Sequence, residues 1–154
     1  SKRHADEALS TNSDLFVVSL LAGESRQITS NPAYDGSPLY SPDGKYIAYR
    51  AQLRPGYESD RFRLMLYDRS SGQHRNLSED FDRWIDAFAW APDSRKLYFV
   101  AEDRGRSSIF EISVESRKVR VLVGDNSSGD LGVSSDGNRL VFTRSSMHQP
   151  AEIY

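Results

Sequence analysis

The segment Ser41–Tyr49 reads Ser-Pro-Asp-Gly-Lys-Tyr-Ile-Ala-Tyr, and two later segments of the chain repeat its pattern. Ala91–Phe99 reads Ala-Pro-Asp-Ser-Arg-Lys-Leu-Tyr-Phe, and Ser134–Phe142 reads Ser-Ser-Asp-Gly-Asn-Arg-Leu-Val-Phe. The aspartates of the three segments are 50 and then 43 positions apart. A repeat of about 40–50 residues is typical of the blades of β-propellers.

Each of the three segments predicts a tight turn followed by a strand. In the first of them Pro42 presets φ at the second turn position, and Asp43 suits the third. Gly44 follows, at a place where a positive φ is often needed. We therefore predict that Asp43 supports its turn through its short side chain, and that Gly44 adopts a conformation that other residues resist.

Two further kinds of strand recur in register with these turns. Runs rich in β-branched, aromatic or long apolar residues lie at Leu15–Leu20, Phe62–Tyr67, Ile109–Val114 and, incompletely, Ala151–Tyr154. After the first three of these runs a turn leads to another short strand, at Arg26–Thr29, His74–Ser78 and Val119–Val123. Each repeat is therefore predicted to contain four short antiparallel strands, which is the arrangement of a propeller blade.

The sequence thus predicts an all-β fold, a β-propeller fragment of about three blades with four-stranded antiparallel units in an open, not closed, arc. Residues 1–154 are assigned to one partial propeller domain, with a half blade at 13–29, blades at 36–78 and 86–123, and an incomplete blade at 130–154. An immunoglobulin-like sandwich also explains many short strands, but not a period of 43–50 residues. Because natural propellers of about 4–8 blades close on themselves, we expect the chain to be an excised or proteolysed piece.

The composition excludes several classes of protein. The chain has 20 basic and 22 acidic residues, a net charge of −2, which argues against a nucleic-acid-binding surface. No apolar run approaches the ~20 residues that a membrane span needs. The absence of cysteine excludes disulfides and thiolate catalysis, and it is compatible with either the cytoplasm or the bacterial periplasm.

The sequence around the repeated turns resembles that of the propeller of the prolyl oligopeptidase family, in its dipeptidyl-peptidase and acylaminoacyl-peptidase branch. The segments that carry the resemblance are Arg50–Gln52, Arg54–Asp68, Glu79–Arg83, Phe142–Ser146 and Pro150–Tyr154. The resemblance covers nearly the whole chain from Ser13 onward, and Arg54–Asp68 is its most specific part. It implies a parent serine peptidase whose propeller restricts access and helps to position short peptides for a separate α/β-hydrolase domain.

The chain itself shows no sign of catalytic, cofactor-binding or metal-binding residues. It contains no Gly-x-Ser-x-Gly nucleophile elbow. The segment most similar to that motif, Gly124–Gly129, has the wrong spacing. Its histidines, His4, His74 and His148, are at least 70 positions apart. The run Asp125–Asp130 does not place acidic groups at alternate positions with a closing glutamate, as a calcium loop does. We therefore expect no catalytic activity of the chain alone.

The segment Gln52–Arg61 is the best candidate for a substrate-binding or domain-interface loop. Alternate turns of an antiparallel meander lie at opposite ends, so this loop should share one face with Ser30–Gly36, Glu79–Trp84 and Gly124–Asp130. That face gathers the charged residues Arg54, Glu58, Asp60, Arg61, Asp80, Asp82 and Arg83. Extended loops on a rigid scaffold are where binding usually resides. The alternative is that these charges only solvate the loop and hold it by mutual ion pairing.

Four aromatic residues recur in equivalent places of the repeat and are predicted to pack in the cores of the blades. They are Tyr34, Tyr40, Trp84 and Trp90.

Two functional interpretations remain open from the sequence. The chain is either the non-catalytic propeller portion of a serine peptidase or a scaffold of the TolB kind, which shares the Ser-Pro-Asp-Gly repeat and binds proteins without an enzymatic domain. The first implies a short peptide substrate and a hydrolase domain as partners. In both, an open arc leaves apolar faces and strand edges exposed, so self-association through the ends is expected.

Overall fold

The computed structural model describes residues 10–124, 127–146 and 149–154. These residues form four antiparallel sheets and no helix. The first sheet contains β1 (Phe16–Val18) and β2 (Ser25–Gln27). The second contains β3 (Asp35–Tyr40), β4 (Tyr46–Ala51), β5 (Arg63–Asp68) and β6 (His74–Asn76). The third contains β7 (Ile85–Trp90), β8 (Lys96–Asp103), β9 (Arg106–Ser113) and β10 (Val119–Val123). The fourth contains β11 (Ser127–Val133), β12 (Leu140–Ser146) and β13 (Gln149–Ile153).

Every sheet is a simple meander in which each strand pairs with the next strand along the chain. The two four-stranded sheets, β3-β4-β5-β6 and β7-β8-β9-β10, have the same order and the same antiparallel pairing. The predicted fold class, an open arc of propeller blades with four-stranded antiparallel units, is confirmed.

The predicted turns form as expected. The Gly44 amide donates to the Ser41 carbonyl at 2.8 Å, and Gly44 has a φ of 71°. The Asp43 carboxylate accepts hydrogen bonds from Ser41 Oγ at 2.7 Å and from the Lys45 amide at 3.1 Å. These two bonds hold the pKa of Asp43 below its usual value. Asp43 thus supports its turn in the way that the sequence predicted.

The equivalent position in the third sheet carries Ser94, also at a positive φ, of 59°. The Ser94 hydroxyl accepts a hydrogen bond from the Asp43 amide at 3.0 Å and so links the turns of neighbouring sheets. Positive φ costs an ordinary residue about 1–2 kcal/mol. The link between the two turns offsets part of this cost.

We expect Gly44→Val to lower the free energy of unfolding by about 1 kcal/mol or more, because a β-branched residue at positive φ is strained. An added Cβ would meet only the end of the Arg69 side chain, at 3.7 Å, so the cost is conformational rather than steric. Gly44→Ser is the matched control and should cost less, since Ser94 already tolerates the conformation. Urea unfolding of the three proteins measures both effects. Equal midpoints for Gly44→Val and the native chain would contradict this account of the turn.

The hydrophobic core lies between neighbouring sheets rather than within one sheet. Between the second and third sheets, Leu64 and Leu66 of β5 belong to the same buried cluster as Phe99, Phe110 and Ile112. Between the first and second sheets, two residues that flank β1 and β2 and four residues of the second sheet form a smaller buried cluster, which comprises Leu15, Ile28, Ile47, Tyr49, Ala51 and Tyr67. The middle strands of the second and third sheets are therefore largely buried, which explains their nearly continuous apolar sequences.

The prediction that all four recurring aromatics pack in blade cores is wrong for two of them. Trp90 is buried, but Trp84 is 37% exposed and Tyr40 is 53% exposed. Tyr40 lies on β3, and within residues 10–124 the neighbouring first sheet has two strands, β1 and β2, with which to cover it. Trp84 lies in the connection before β7, where its ring meets Phe62 and remains partly exposed.

The outer sheets expose several large apolar side chains. The most exposed are Leu20 (98%), Leu21 (101%) and Ile153 (78%). Self-association through these sheets stays a prediction.

Candidate functional site

The β4–β5 loop (residues 52–62) is organised from within by the side chain of Gln52. Gln52 is buried, and its amide nitrogen donates to the carbonyls of Glu58 at 3.0 Å and Asp60 at 2.6 Å. Its main-chain amide donates to the Tyr34 carbonyl at 2.8 Å, which ties the loop to the segment before β3. A glutamine at the end of a buried strand thus provides hydrogen bonds that the main chain of the loop does not supply for itself.

Asp60 closes the same loop from its other end. Its side chain is buried, and Oδ2 accepts hydrogen bonds from the amides of Leu53 at 2.7 Å and Arg54 at 3.1 Å and from the Arg63 guanidinium at 3.1 Å. Burial alone would raise the pKa of Asp60, but the bonds from Leu53, Arg63 and Arg54 outweigh it and lower the pKa. The carboxylate is therefore a structural anion that holds the loop through its Oδ2 atom.

Arg61 joins the loop to the connection between the second and third sheets. Its guanidinium donates to the carbonyl of Phe81 and, at 3.2 Å, to the carbonyl of Glu79. It also lies 3.7 Å from the carboxylate of Asp82, whose side chain is fully exposed. The main-chain contacts fix the position of Arg61, and the weak pair with Asp82 adds little.

The other predicted charges are on the surface of the same face. Arg83 pairs with Asp103 at 3.0 Å and lies over the Phe81 ring at 5.3 Å. Arg54 lies over the Tyr57 ring at 5.7 Å. The side chains of Glu58 and Asp80 are exposed. We call this end of the sheets the loop face and define it by residues 30–34, 52–62, 77–84 and 104–105.

The predicted residues do not form one charged cluster. The structure brings Arg61 to Asp82, whereas Asp60 pairs with Arg63 and Arg83 pairs with Asp103. Some of the predicted charged residues are therefore held in ion pairs. The outer surface of the β4–β5 loop also exposes apolar and aromatic side chains, since Leu53 is 48% and Tyr57 is 50% exposed.

Arg50, which the sequence did not single out as a site residue, joins the second sheet to the third. Its guanidinium donates to the Asp86 carboxylate at 3.1 Å and to Ser37 Oγ at 3.2 Å, and it lies over the Phe62 ring at 4.6 Å. Ser37 has a positive φ of 55°. A single arginine in the otherwise apolar strand Tyr46–Ala51 is the signal that would have found it.

Aromatic rings extend from Arg50 across the loop face. Tyr34 meets Phe62 edge to face at a centroid distance of 5.2 Å, and Phe62 meets Trp84 in the same way at 4.7 Å.

A surface depression of about 280 Å³ lies beside these rings and is lined by Trp84, Asp86, Val100, Glu102 and Ser107. It is slightly smaller than ordinary ligand pockets. A larger depression, of about 710 Å³, lies at the opposite end of the sheets, among the turns at 43–46 and 93–96.

Within residues 10–124, 127–146 and 149–154, no three His, Cys, Asp or Glu side chains come close enough to hold a metal ion. No helix long and apolar enough to cross a membrane occurs in the part of the chain that the structure describes. His4, His148 and the first two residues of the run Asp125–Asp130 lie outside the described residues. The side chain of His74 hydrogen-bonds to the Tyr49 hydroxyl at 2.9 Å and packs against the Tyr67 ring.

The chain is similar in sequence to known peptidases. It is 35% identical over 149 residues, or 96% of its length, to a dipeptidyl-peptidase 5 from Porphyromonas gingivalis. This chain matches a segment of dipeptidyl-peptidase 5. It spans 22% of the length of that relative, so most of the relative lies outside the match. The resemblance to the dipeptidyl-peptidase branch, which the sequence showed most specifically at Arg54–Asp68, is confirmed. No protein-family model matches the chain.

Solved structures show the same fold. TolB from Acinetobacter baumannii superposes with a TM-score of 0.73 at 23% identity, over 95% of this chain and 35% of TolB. The acylaminoacyl peptidase of Pyrococcus horikoshii superposes with a TM-score of 0.71 at 20% identity, over 92% of this chain and 21% of the peptidase. At these identities the two structures support the fold alone.

Proposed function

We propose that this chain is the propeller portion of a serine peptidase of the dipeptidyl-peptidase type, and that its loop face borders the route of short peptides to a separate α/β-hydrolase domain. The observation that carries the proposal is the 35% identity to dipeptidyl-peptidase 5 over nearly the whole chain. In this role the propeller restricts access and positions the peptide, and the hydrolase domain supplies the catalytic residues.

The β4–β5 loop has the properties of a preformed contact surface. Its buried side holds Gln52 and Asp60, which fix the main chain, and its exposed side presents Leu53, Arg54 and Tyr57. A loop that is ordered before binding loses little conformational entropy when a partner arrives. Tyr57 offers a peptide an aromatic surface, and the Arg54 guanidinium beside it offers a positive charge to a carboxylate.

A second candidate function is a protein-binding scaffold without an enzymatic domain, favoured by the superposition on TolB over 95% of the chain. The gene sequence downstream of Tyr154 distinguishes the two candidate functions. A Gly-x-Ser-x-Gly sequence within a few hundred codons downstream of Tyr154 selects the peptidase. A stop codon soon after the propeller closes selects the scaffold.

The loop variants Leu53→Ser and Tyr57→Ser, combined in the full-length protein, test the proposed role of the loop. We expect kcat/KM for dipeptidyl anilides to fall about tenfold, mainly through KM, because the loop positions the substrate and does not react with it. The Tm should stay within about 2 °C, since both side chains are half exposed.

Two controls accompany the assay. Leu21→Ser removes a fully exposed leucine from the opposite end of the sheets and should leave kcat/KM unchanged. The isolated 154-residue chain should hydrolyse none of the anilides. An unchanged kcat/KM in the double variant would contradict the loop's role. Serine-inhibitor-sensitive turnover by the isolated chain would contradict the division of labour between domains.

A further inference from the structure

The depression beside the third sheet brings two carboxylates and an indole ring to one cavity. Its volume is about 280 Å³, and its walls are formed by Trp84, Asp86, Val100, Glu102 and Ser107. The ring of Trp84 meets Phe62 and is still 37% exposed, and the side chain of Asp86 is 70% exposed. Both groups can therefore be reached by a ligand.

The second sheet has the same five positions, and the registers of the two sheets identify them. The pairs Asp35 with Ala51 and Ala51 with Arg63 in the second sheet match the pairs Ile85 with Ala101 and Ala101 with Ser108 in the third. The walls of the depression therefore correspond, in order, to Tyr34, Gly36, Arg50, Gln52 and Phe62.

In the second sheet a guanidinium group occupies this place. The guanidinium of Arg50 lies over the Phe62 ring at 4.6 Å and donates to the Asp86 carboxylate at 3.1 Å. The third sheet has Val100 where the second has Arg50, and Ser107 where the second has Phe62. The third sheet thus lacks the internal cation and the ring beneath it, and a depression lies there instead.

The charges of the walls favour a cation in that depression. Asp86 is paired with Arg50 through Oδ1, whereas no described residue forms an ion pair or a hydrogen bond with the carboxylate of Glu102. The walls therefore carry two carboxylates against one partner guanidinium. A guanidinium binds a carboxylate through two parallel hydrogen bonds and stacks on an aromatic face, whereas an ammonium acts as a point charge.

We propose that the depression binds an alkylguanidinium cation, such as the side chain of an arginine, between the Trp84 ring and the Glu102 carboxylate. The cation takes the place that Arg50 fills in the second sheet. A volume of about 280 Å³ lies below that of ordinary ligand pockets and suits one side chain rather than a whole larger ligand. This assignment goes beyond the proposed function, because it requires neither hydrolysis nor a hydrolase domain.

Titration of the 154-residue chain with three small probes, followed by NMR at pH 7, tests the assignment. The probes are n-propylguanidinium, its neutral isostere n-propylurea, and n-propylammonium. We expect n-propylguanidinium to shift the Trp84 indole N–H and the amides of Glu102 and Ser107 saturably. The ammonium should bind several-fold more weakly, and the urea should cause no saturable shift. Equal responses to the urea and the guanidinium, or tighter binding of the ammonium, would overturn the proposal.

Two variants that remove the same charge locate the site. Glu102→Gln should weaken n-propylguanidinium binding about fivefold, since the carboxylate faces the cation at a partly exposed surface. Glu58→Gln is the matched control, because it removes an exposed glutamate of the β4–β5 loop that does not line the depression, and it should leave the affinity unchanged. Equal losses in the two variants would mean that the cation responds to net charge alone, and the proposed site would be refuted.

Discussion

Phe99→Ala should lower the free energy of unfolding by about 3–5 kcal/mol, the usual cost of truncating a fully buried phenylalanine. Phe99 is 0% exposed in the core between the second and third sheets. Its ring stacks on Phe110 at 5.4 Å and meets the edge of Phe81 at 5.2 Å. Because Phe81 belongs to the connection between these sheets, the cavity would weaken both the sheet contact and its link to the loop face. Urea unfolding followed by circular dichroism measures the change.

Two controls separate the loss of packing from the loss of an aromatic ring. Phe99→Leu keeps most of the volume and should cost clearly less than Phe99→Ala. Tyr57→Ala removes a ring that is 50% exposed and should change stability by about 0.5 kcal/mol or less. If Phe99→Ala and Tyr57→Ala shifted the unfolding midpoint equally, the core would not lie between these two sheets.

The turns and strands were predictable because the interactions that form them are local. Asp43 bonds to atoms two residues away on either side, and Gly44 needs only its own φ. The residues that enforce such a turn are adjacent in the sequence, so their spacing shows the repeat directly. The apolar middle strands were predictable for a related reason, since a strand that is covered on both faces has no polar alternation.

The contacts of the loop face were less predictable because they depend on which distant segments meet. From its sequence position Asp60 resembles an exposed charged residue of a loop. In the structure it is buried and contacts two main-chain amides and the Arg63 guanidinium. Arg50 and Asp86 are 36 positions apart and pair across two sheets. A repeat predicts that neighbouring sheets touch, but it does not predict which side chains cross between them. Tyr40 and Trp84 differ from the prediction for the same reason, since their exposure depends on what the adjacent segments cover.

Asp60→Ala should lower the free energy of unfolding by about 3–5 kcal/mol, the usual cost of removing one partner of a buried ion pair. The Arg63 side chain is 11% exposed and would keep its charge without a carboxylate to face. The amides of Leu53 and Arg54 would lose their acceptor at the same time. Thermal unfolding of the variant measures the loss, and the exposed Glu58 supplies the control, since Glu58→Gln should change stability by about 0.5 kcal/mol or less.

The pH dependence gives this prediction a second, independent measurement. Because the pKa of Asp60 is lowered in the folded state, its contribution to stability is present above the unfolded value of about 3.8 and is lost as the pH falls through the lower folded value. The difference in Tm between the native chain and Asp60→Ala should therefore be constant from pH 5 to pH 8 and shrink below pH 4. A difference that grew on acidification would mean that Asp60 is not the ionised anchor of the β4–β5 loop.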